Sequence, residues 1–390
     1  MKILLLAGEA SGVLYAERLK RSLAELAGGR AIEYRGYDTE GFRIEDLAVM
    51  GFVAVLKRLP YFLRVARTMA RVVDTWRPDV VVTIDYPGLN LKLARRAKAR
   101  GIPAVHVVCP PVWAWHQDRI PKVAASLTKL LCFFPFEPAL FGPPGTYGAF
   151  RASFIGHPMV DVFAEEDRNR AADGVAPGGD GVPLLAVLPG SRSGEIARNL
   201  PRLIETVRLL RDRGQTFRVE IPAASARSRA HIEALVAAGA DALRGVDVRI
   251  RLGGAREVLR RARCAAVASG TATLEAALAR CPTVLVYAVS WLFATFLRHA
   301  IRQIRHVGLA NIVWEKSLPD RGVGRESPMP ELLQEAFTPE AVADRLEAWL
   351  RDPAARAAAV KRLDEAMALL HSDGDALGLA AREVLAEVRT

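Results

Sequence analysis

Short, almost uninterrupted apolar runs alternate along the chain with longer amphipathic stretches, and small-residue loops separate the two. Residues 2–7 read as a strand and 13–27 as a helix. Residues 80–84 form a second strand, followed by a helix near 91–100, and residues 104–108 and 130–133 are further strands. Runs that are apolar at every position, rather than at alternate ones, belong to strands covered on both faces, which is the pattern of a parallel sheet between helices. From 164 to 182 the pattern lapses into AEEDRNRAADGVAPGGDGV, polar and bearing Gly and Pro, which reads as a linker. The rhythm restarts with strands at 184–188, 218–221, 265–268 and 284–287, and the stretch 338–390 is helical. The predicted fold is α/β, with two Rossmann-like domains at 1–163 and 183–365 whose parallel sheets face a cleft. A helical piece at 366–390 packs back on the first domain or exchanges with the partner chain of a homodimer.

Composition narrows this picture a little. A chain of 390 residues suits two domains, and 51% hydrophobic against 25% charged residues describes a core-forming protein rather than a disordered one. The formal net charge of +11 suits nucleic acid, an anionic membrane surface or a phosphorylated substrate, and a genome that favours Arg and Ala accounts for it equally well. Cys109, Cys132, Cys264 and Cys281 form no CxxC pair and no zinc-ligand spacing, so no metal site is expected and a reducing compartment is. The apolar start is too short for a signal peptide, and no uncharged run nears the ~20 residues of a membrane helix. The expected location is the cytoplasm.

Three strand-to-helix junctions carry glycine and hydroxyl residues: Gly8-Glu9-Ala10-Ser11-Gly12, Pro189-Gly190-Ser191-Arg192-Ser193-Gly194-Glu195 and Ser269-Gly270-Thr271-Ala272-Thr273-Leu274-Glu275. Glycine lets backbone N–H groups approach a ligand, and a helix N-terminus favours an anion, although the same hydroxyls cap helices that bind nothing. Arg192 adds a fork donor for phosphate, and Glu275, one turn into its helix, is placed to accept sugar hydroxyls. Together these suggest a sugar nucleotide bound by the second domain. GxxxxGK[ST] and GxGxxG are both absent, which disfavours a P-loop ATPase and a dehydrogenase.

Asp85 follows directly on the strand 80–84, where a carboxylate can take a proton from an attacking hydroxyl or simply cap the turn before Pro87. Glu9 at the first junction is a second candidate, better suited as a substrate ligand or electrostatic partner, and His157, in a turn near the domain boundary, is a candidate to reach the cleft. His106 reads as a core histidine. Two segments join apolar and basic faces. In 57–77 Phe62, Val65 and Met69 lie on one stripe, with Arg64, Arg67 and Arg71 on another. In 291–306 Trp291, Phe293 and Phe296 precede Arg298, Arg302 and Arg305. Each suits an anionic bilayer or an ordinary core-facing helix. No nucleic-acid-binding motif accompanies the basic residues, so no nucleic-acid partner is expected.

Several motifs occur in order between residues 3 and 315: Gly8-Glu9-Ala10-Ser11-Gly12, Leu47-Ala48-Val49-Met50-Gly51, Ile84-Asp85-Tyr86-Pro87 with Asn90, Pro110-Pro111-Val112-Trp113-Ala114-Trp115, Phe134-Pro135-Phe136-Glu137, Ile155-Gly156-His157-Pro158, Leu188-Pro189-Gly190-Ser191-Arg192 with Glu195, the run from Ser269 to Glu275, and Asn311. This series resembles the bacterial lipid-A-disaccharide synthases. The resemblance implies a GT-B glycosyltransferase, inverting and without cofactor or metal. Its donor would be UDP-2,3-diacylglucosamine and its acceptor 2,3-diacylglucosamine 1-phosphate, at the inner face of the cytoplasmic membrane. By the same resemblance Asp85 is the base, with Glu9 beside it. Gly190, Ser191, Arg192, Glu195, Ser269, Gly270, Thr271, Thr273, Glu275 and Asn311 belong to the donor site. Ser11, Gly12, Met50, Asn90, Trp113, Trp115 and His157 belong to the acceptor side.

Departures from the family pattern gather in the first domain. Val13 stands where Asp is usual, Ala54 replaces Glu, Gly88 replaces Asp and His116 replaces Arg, while a Gly-Gly-x-x-Met stretch is shortened to Arg35-Gly36-Tyr37-Asp38-Thr39-Glu40-Gly41. These motivate two alternatives, a homologue that binds a nucleotide sugar or glycolipid without turnover, and a transferase with a different acceptor. A UDP-sugar epimerase is a further reading, against which the VWAW motif and the apolar basic helices speak.

Overall fold

The computed structural model describes residues 1–8, 10–43, 46, 58–172, 181–288, 305–320 and 322–388. They form two compact units, Met1–Asp161 with Leu370–Thr390, and Val162–Leu369.

The first unit contains β1 (Lys2–Ala7), α1 (Ala10–Leu26), β2 (Glu33–Arg35), α2 (Leu59–Trp76), β3 (Val80–Ile84), α3 (Pro87–Lys98), β4 (Ala104–Val107), α4 (Ile120–Ser126), β5 (Lys129–Cys132) and β6 (Arg151–Phe154). Its six strands are parallel, in the order β2-β1-β3-β4-β5-β6. The unbroken apolar runs have a direct cause. Ile3, Leu5, Val80, Val82 and Ile84 pack with Leu19 and Leu23 of α1, whereas Leu4, Leu6 and Val81 turn to the opposite face and pack with Val65, Met69, Val72 and Val73 of α2. Successive side chains therefore meet two different cores, and a polar residue enters either face only with a partner, as Thr83 does with His106. Two residues read from the sequence as membrane contacts, Val65 and Met69, are fully buried in the second of these cores. A helix with one apolar stripe turns it to the nearest apolar surface, here the sheet.

α5 (Pro158–Ala172) runs into the second unit, which continues with β7 (Leu184–Leu188), α6 (Ser193–Asp212), β8 (Arg218–Ala223), α7 (Ala226–Ala238), β9 (Val248–Leu252), α8 (Ala255–Arg261), β10 (Cys264–Ala268), α9 (Thr271–Leu278), β11 (Thr283–Tyr287), α10 (Leu309–Ser317), β12 (Glu331–Leu333), α11 (Pro339–Arg351) and α12 (Pro353–Ala368). This sheet is also six-stranded and parallel, in the order β12-β11-β10-β7-β8-β9. Residues 164–172, read from the sequence as the start of a linker, are the last turns of α5. Their charge is matched by partners, since Glu166 pairs with Arg256 and Arg260, and Asp167 with Arg260. The expected break after 365 falls inside α12, and the division of units lies between Leu369 and Leu370.

The last helix, α13 (Ala376–Glu387), belongs to the first unit and packs on α1 of the same chain. Leu377, Ala380, Ala381 and Val384 enter the core behind β1 and β3. Asp161 Oδ2 accepts the Ala376 N–H at 3.0 Å, and Lys129 pairs with Glu383 at 2.5 Å and Glu387 at 3.1 Å.

Candidate functional site

In the second unit the carboxyl ends of the strands open on a cavity of about 960 Å³, near the upper end of the ~300–1,000 Å³ usual for ligand sites. Strand register builds it. Leu188 sits opposite Val267, so the 189–195 and 269–275 junctions lie side by side. Gly190, Ser191, Arg192, Glu195, Ser269, Gly270, Thr271 and Glu275 all line it. At Gly190, φ +117°, a Cβ would stand 2.7 Å from Glu195 Cβ, so the close approach needs glycine. Glu195 Oε2 accepts the N–H groups of Ser191 (3.2 Å) and Arg192 (3.3 Å), while its Oε1 takes the Arg192 guanidinium at 2.8 Å. The loop is thereby held before any ligand arrives. Glu275 Oε1 accepts from Arg256 Nε at 3.1 Å, and Arg256 also reaches Glu166 at 2.6 Å. Burial would raise the Glu166 carboxyl, but hydrogen bonds from Arg260 and Arg256 outweigh it and hold that carboxyl below its ordinary value.

Two expected donor residues point elsewhere. The Thr273 side chain is buried, and its hydroxyl donates to Gly270 O at 2.8 Å, closing the first turn of α9. Asn311 is wholly buried. Its Nδ2 donates to Met329 O (2.8 Å) and Glu331 Oε1 (2.7 Å), and its Oδ1 accepts the Met329 N–H (2.9 Å).

In the first unit, register sets Ala7 opposite Ile84, so the junction at Gly8 lies beside Asp85. A Cβ on Gly8 would fall 2.5 Å from Tyr86 Cγ. Asp85 and Tyr86 both adopt left-handed backbone, with φ of +51° and +50°, at about 1–2 kcal/mol each for residues with a Cβ. Asp85 Oδ1 accepts the Tyr86 N–H at 2.7 Å. Burial raises the Asp85 carboxyl above its ordinary value, opposed in part by that N–H. Asn90 is buried and donates to Asp85 O at 2.7 Å.

Trp113 is buried, edge-on to Phe136 at 5.7 Å, and its Nε1 donates to Glu137 Oε1 at 3.2 Å. Trp115 is 46% exposed. Glu137 is buried, with Cys109 and Cys132 beside it, potential ligand atoms of the three lying within 4.8 Å of one another. Both Glu137 carboxylate oxygens are already engaged, by Trp113 and by the Phe134 N–H. His157 is buried against Phe133 and Phe134, and burial lowers its pKa to about 4. His106 is likewise buried, 2.6 Å from Thr83 Oγ1, its pKa lowered to about 3. Ser11 is exposed and Gly12 buried at the start of α1. Glu9, Met50, Trp291, Phe293, Phe296, Arg298 and Arg302 lie outside the described residues. Phe62 is half-buried on α2, with Arg64 and Arg67 exposed.

The family model for lipid-A-disaccharide synthetase matches residues 3–369. The chain belongs to that family. A lipid-A-disaccharide synthase of Aromatoleum aromaticum is 37% identical, covering 98% of this chain and 95% of its own length. One from Anaeromyxobacter dehalogenans is 36% identical, covering 100% and 98%. Solved structures are far more distant in sequence but share the fold. Acinetobacter baumannii MurG superposes with a TM-score of 0.57 at 15% identity, covering 99% of both chains. The UDP-GlcNAc 2-epimerase of Methanocaldococcus jannaschii gives 0.55 at 13%, covering 99% of this chain and 100% of that one. The lipid-A-disaccharide synthetase fold is thus the GT-B arrangement expected from the motifs.

Some cavity residues of this family member were not evident in its sequence. Glu166, Asn169 and Arg170 come from α5, and Gly253, Gly254, Arg256 and Arg260 from the β9–α8 junction. The second group carries a signal, because Leu252-Gly253-Gly254-Ala255 repeats the strand, small-residue loop and helix pattern of the other junctions. The edge strand VRIRL before it is too charged to read as buried, and it is in fact half-exposed.

Proposed function

We propose that this chain moves 2,3-diacylglucosamine from UDP to the 6-hydroxyl of 2,3-diacylglucosamine 1-phosphate, giving the β-1,6-linked disaccharide 1-phosphate and UDP. The observation that carries the reading is Asp85, a carboxylate at a strand's carboxyl end whose burial raises its proton affinity, as a general base requires. The acceptor oxygen attacks the anomeric carbon of the donor while its proton passes to Asp85. The new oxygen–carbon bond forms as the bond to the β-phosphate oxygen breaks, and UDP leaves with the electron pair. Attack opposite the leaving group inverts the anomeric centre.

In this reading the donor occupies the cavity of the second unit. Its diphosphate meets the backbone N–H groups at 190–192, the first turn of α9 and Arg192, and Glu275 accepts sugar hydroxyls. No cofactor takes part. Acylated substrates call for an anionic membrane surface. No described helix is long and apolar enough to cross a membrane. Leu59 and Leu63, 46% and 45% exposed one turn apart on α2, stand with Phe62 among Arg58, Arg64 and Arg67, and this supports contact with the bilayer face.

The test is UDP release from UDP-2,3-diacylglucosamine, with and without acceptor and with and without EDTA, for the wild type and Asp85→Ala. The reading expects acceptor-dependent release, indifferent to EDTA, that falls by about 10²–10⁴ in the variant. Release at equal rates without acceptor, or donor binding with no release, would sink it.

A further inference from the structure

The base of the proposed reaction stands on two successive left-handed residues that both carry a Cβ, so other groups must hold the turn. One is Asn90, on the first turns of α3. Its Nδ2 donates to Asp85 O at 2.7 Å and lies 3.3 Å from both Leu6 O and Ile84 O. Those three carbonyls belong to the ends of β1 and β3 and to the turn itself. A flipped amide would set its oxygen against all three.

The three carbonyls select the orientation, and Tyr37 anchors the other end of the amide. Its hydroxyl donates to Asn90 Oδ1 at 2.6 Å, across 53 residues of sequence. Tyr37 is 2% exposed, and its ring lies in the core formed by β1, β3 and α2. It comes from the stretch Arg35-Gly36-Tyr37-Asp38-Thr39-Glu40-Gly41, where the sequence leaves the family pattern.

We propose that Tyr37 is a positioning residue, which fixes the Asn90 amide and through it the left-handed turn that presents the Asp85 carboxylate. The inference rests on the reading of Asp85 as the base. Tyr37 touches no substrate and acts only through Asn90. Among the described residues no charged side chain contributes to the Asp85 environment, which is set by burial and by the Tyr86 N–H. Release of the turn therefore has a defined consequence. The carboxylate gains water, and its titration falls toward the ordinary aspartate value of about 3.9.

The experiment uses the full chain with carboxyl-¹³C aspartate, the Asp85 resonance being identified by its loss in Asp85→Asn. Asp85 is titrated in the wild type and in Tyr37→Phe, which keeps the buried ring, and both are assayed for acceptor-dependent UDP release. The expected result is a lower Asp85 midpoint in Tyr37→Phe and a kcat reduced about tenfold, corresponding to ~1.4 kcal/mol, with the donor KM unchanged. Asn90→Ala, read the same way, serves if Tyr37→Phe does not fold. An Asp85 midpoint unchanged by Tyr37→Phe overturns the proposal whatever the rate does, since a merely structural role lowers activity without moving that resonance. A wild type that titrates as expected but releases no UDP would instead count against the transferase reading.

Discussion

Replacing Glu137 by glutamine should remove a pH dependence from folding stability. The Glu137 carboxyl is buried beneath the Trp113 loop, and desolvation pushes it up to about 8 from 4.5, against N–H donors from Phe134, Trp113 and Phe133 that favour the ionised form. Because the native value lies above the unfolded one, the folded chain keeps a proton that the unfolded chain releases between those two pH values. The stability from this group is complete below about pH 4.5 and is lost as pH rises toward 8. Each pH unit in that window is worth ~1.4 kcal/mol, and the whole of it up to ~5 kcal/mol. Glutamine has no such proton. It keeps an acceptor for the Trp113 indole but turns an NH₂ toward the Phe134 N–H, a loss of about 1–3 kcal/mol at every pH. Glu137→Gln is therefore expected to be the less stable protein at pH 5 and the more stable one at pH 8. Urea unfolding at pH 5, 6, 7 and 8, followed by tryptophan emission, measures the difference, and titrations common to both proteins cancel. A difference that stays flat across the four pH values would refute the reasoning.

Arg256→Ala should loosen Glu275, which loses its 3.1 Å partner, and leave Glu166 without its 2.6 Å contact. Arg256 is about one-third exposed and Glu275 less so, so after solvent screening the effect is ~1 kcal/mol, seen as a roughly fivefold rise in donor KM at unchanged kcat. An unaltered KM would remove Glu275 from the donor reading. Asn311→Ala should lower the melting temperature by several degrees, because it leaves the Met329 N–H without its acceptor and takes one donor from Glu331, which keeps the Val307 and Gly308 N–H groups, at about 1–3 kcal/mol. Its donor KM should hold, whereas a raised KM with normal melting would return Asn311 to the binding site.

The strands that carry the cavities were legible because both of their faces are buried. Leu4 and Leu5 face different cores, so no polar residue interrupts the run. The edge strands were not. β2 and β12 have three residues each, and β9 alternates arginine with apolar positions because one side meets solvent. The charged part of α5 from residue 164 onward was mistaken for the start of a linker for a related reason. Its carboxylates are matched by arginines ninety or more residues away, a pairing that no local window contains. Among the residues that line the cavity, those of the glycine-rich junctions were readable because parallel register aligns successive strand ends. Thr273 and Asn311 were not, since a hydroxyl or an amide closes a turn with the same chemistry it would offer a ligand. Val65 and Met69 show that a helical period tells of an apolar partner without telling which one.

Of the departures from the family pattern, all in the first unit, Ala54 lies outside the described residues, and His116 is exposed beside Asp118. A Cβ at Gly88 would meet nothing within 4 Å, so the position is open and the loss of the usual aspartate there relieves no crowding. Val13 lines a small cavity of about 60 Å³ together with Tyr34 and Tyr37, next to the residue that fixes Asn90. The shortened stretch from Arg35 to Gly41 supplies that tyrosine itself. Asp85, Asn90, Trp113 and Glu137 meanwhile keep hydrogen-bonded places. Val13 and the shortened stretch therefore fall on what surrounds the carboxylate rather than on the carboxylate. A chain that had shed its chemistry would have little reason to keep two successive left-handed residues, at about 1–2 kcal/mol each, under a buried tyrosine and asparagine.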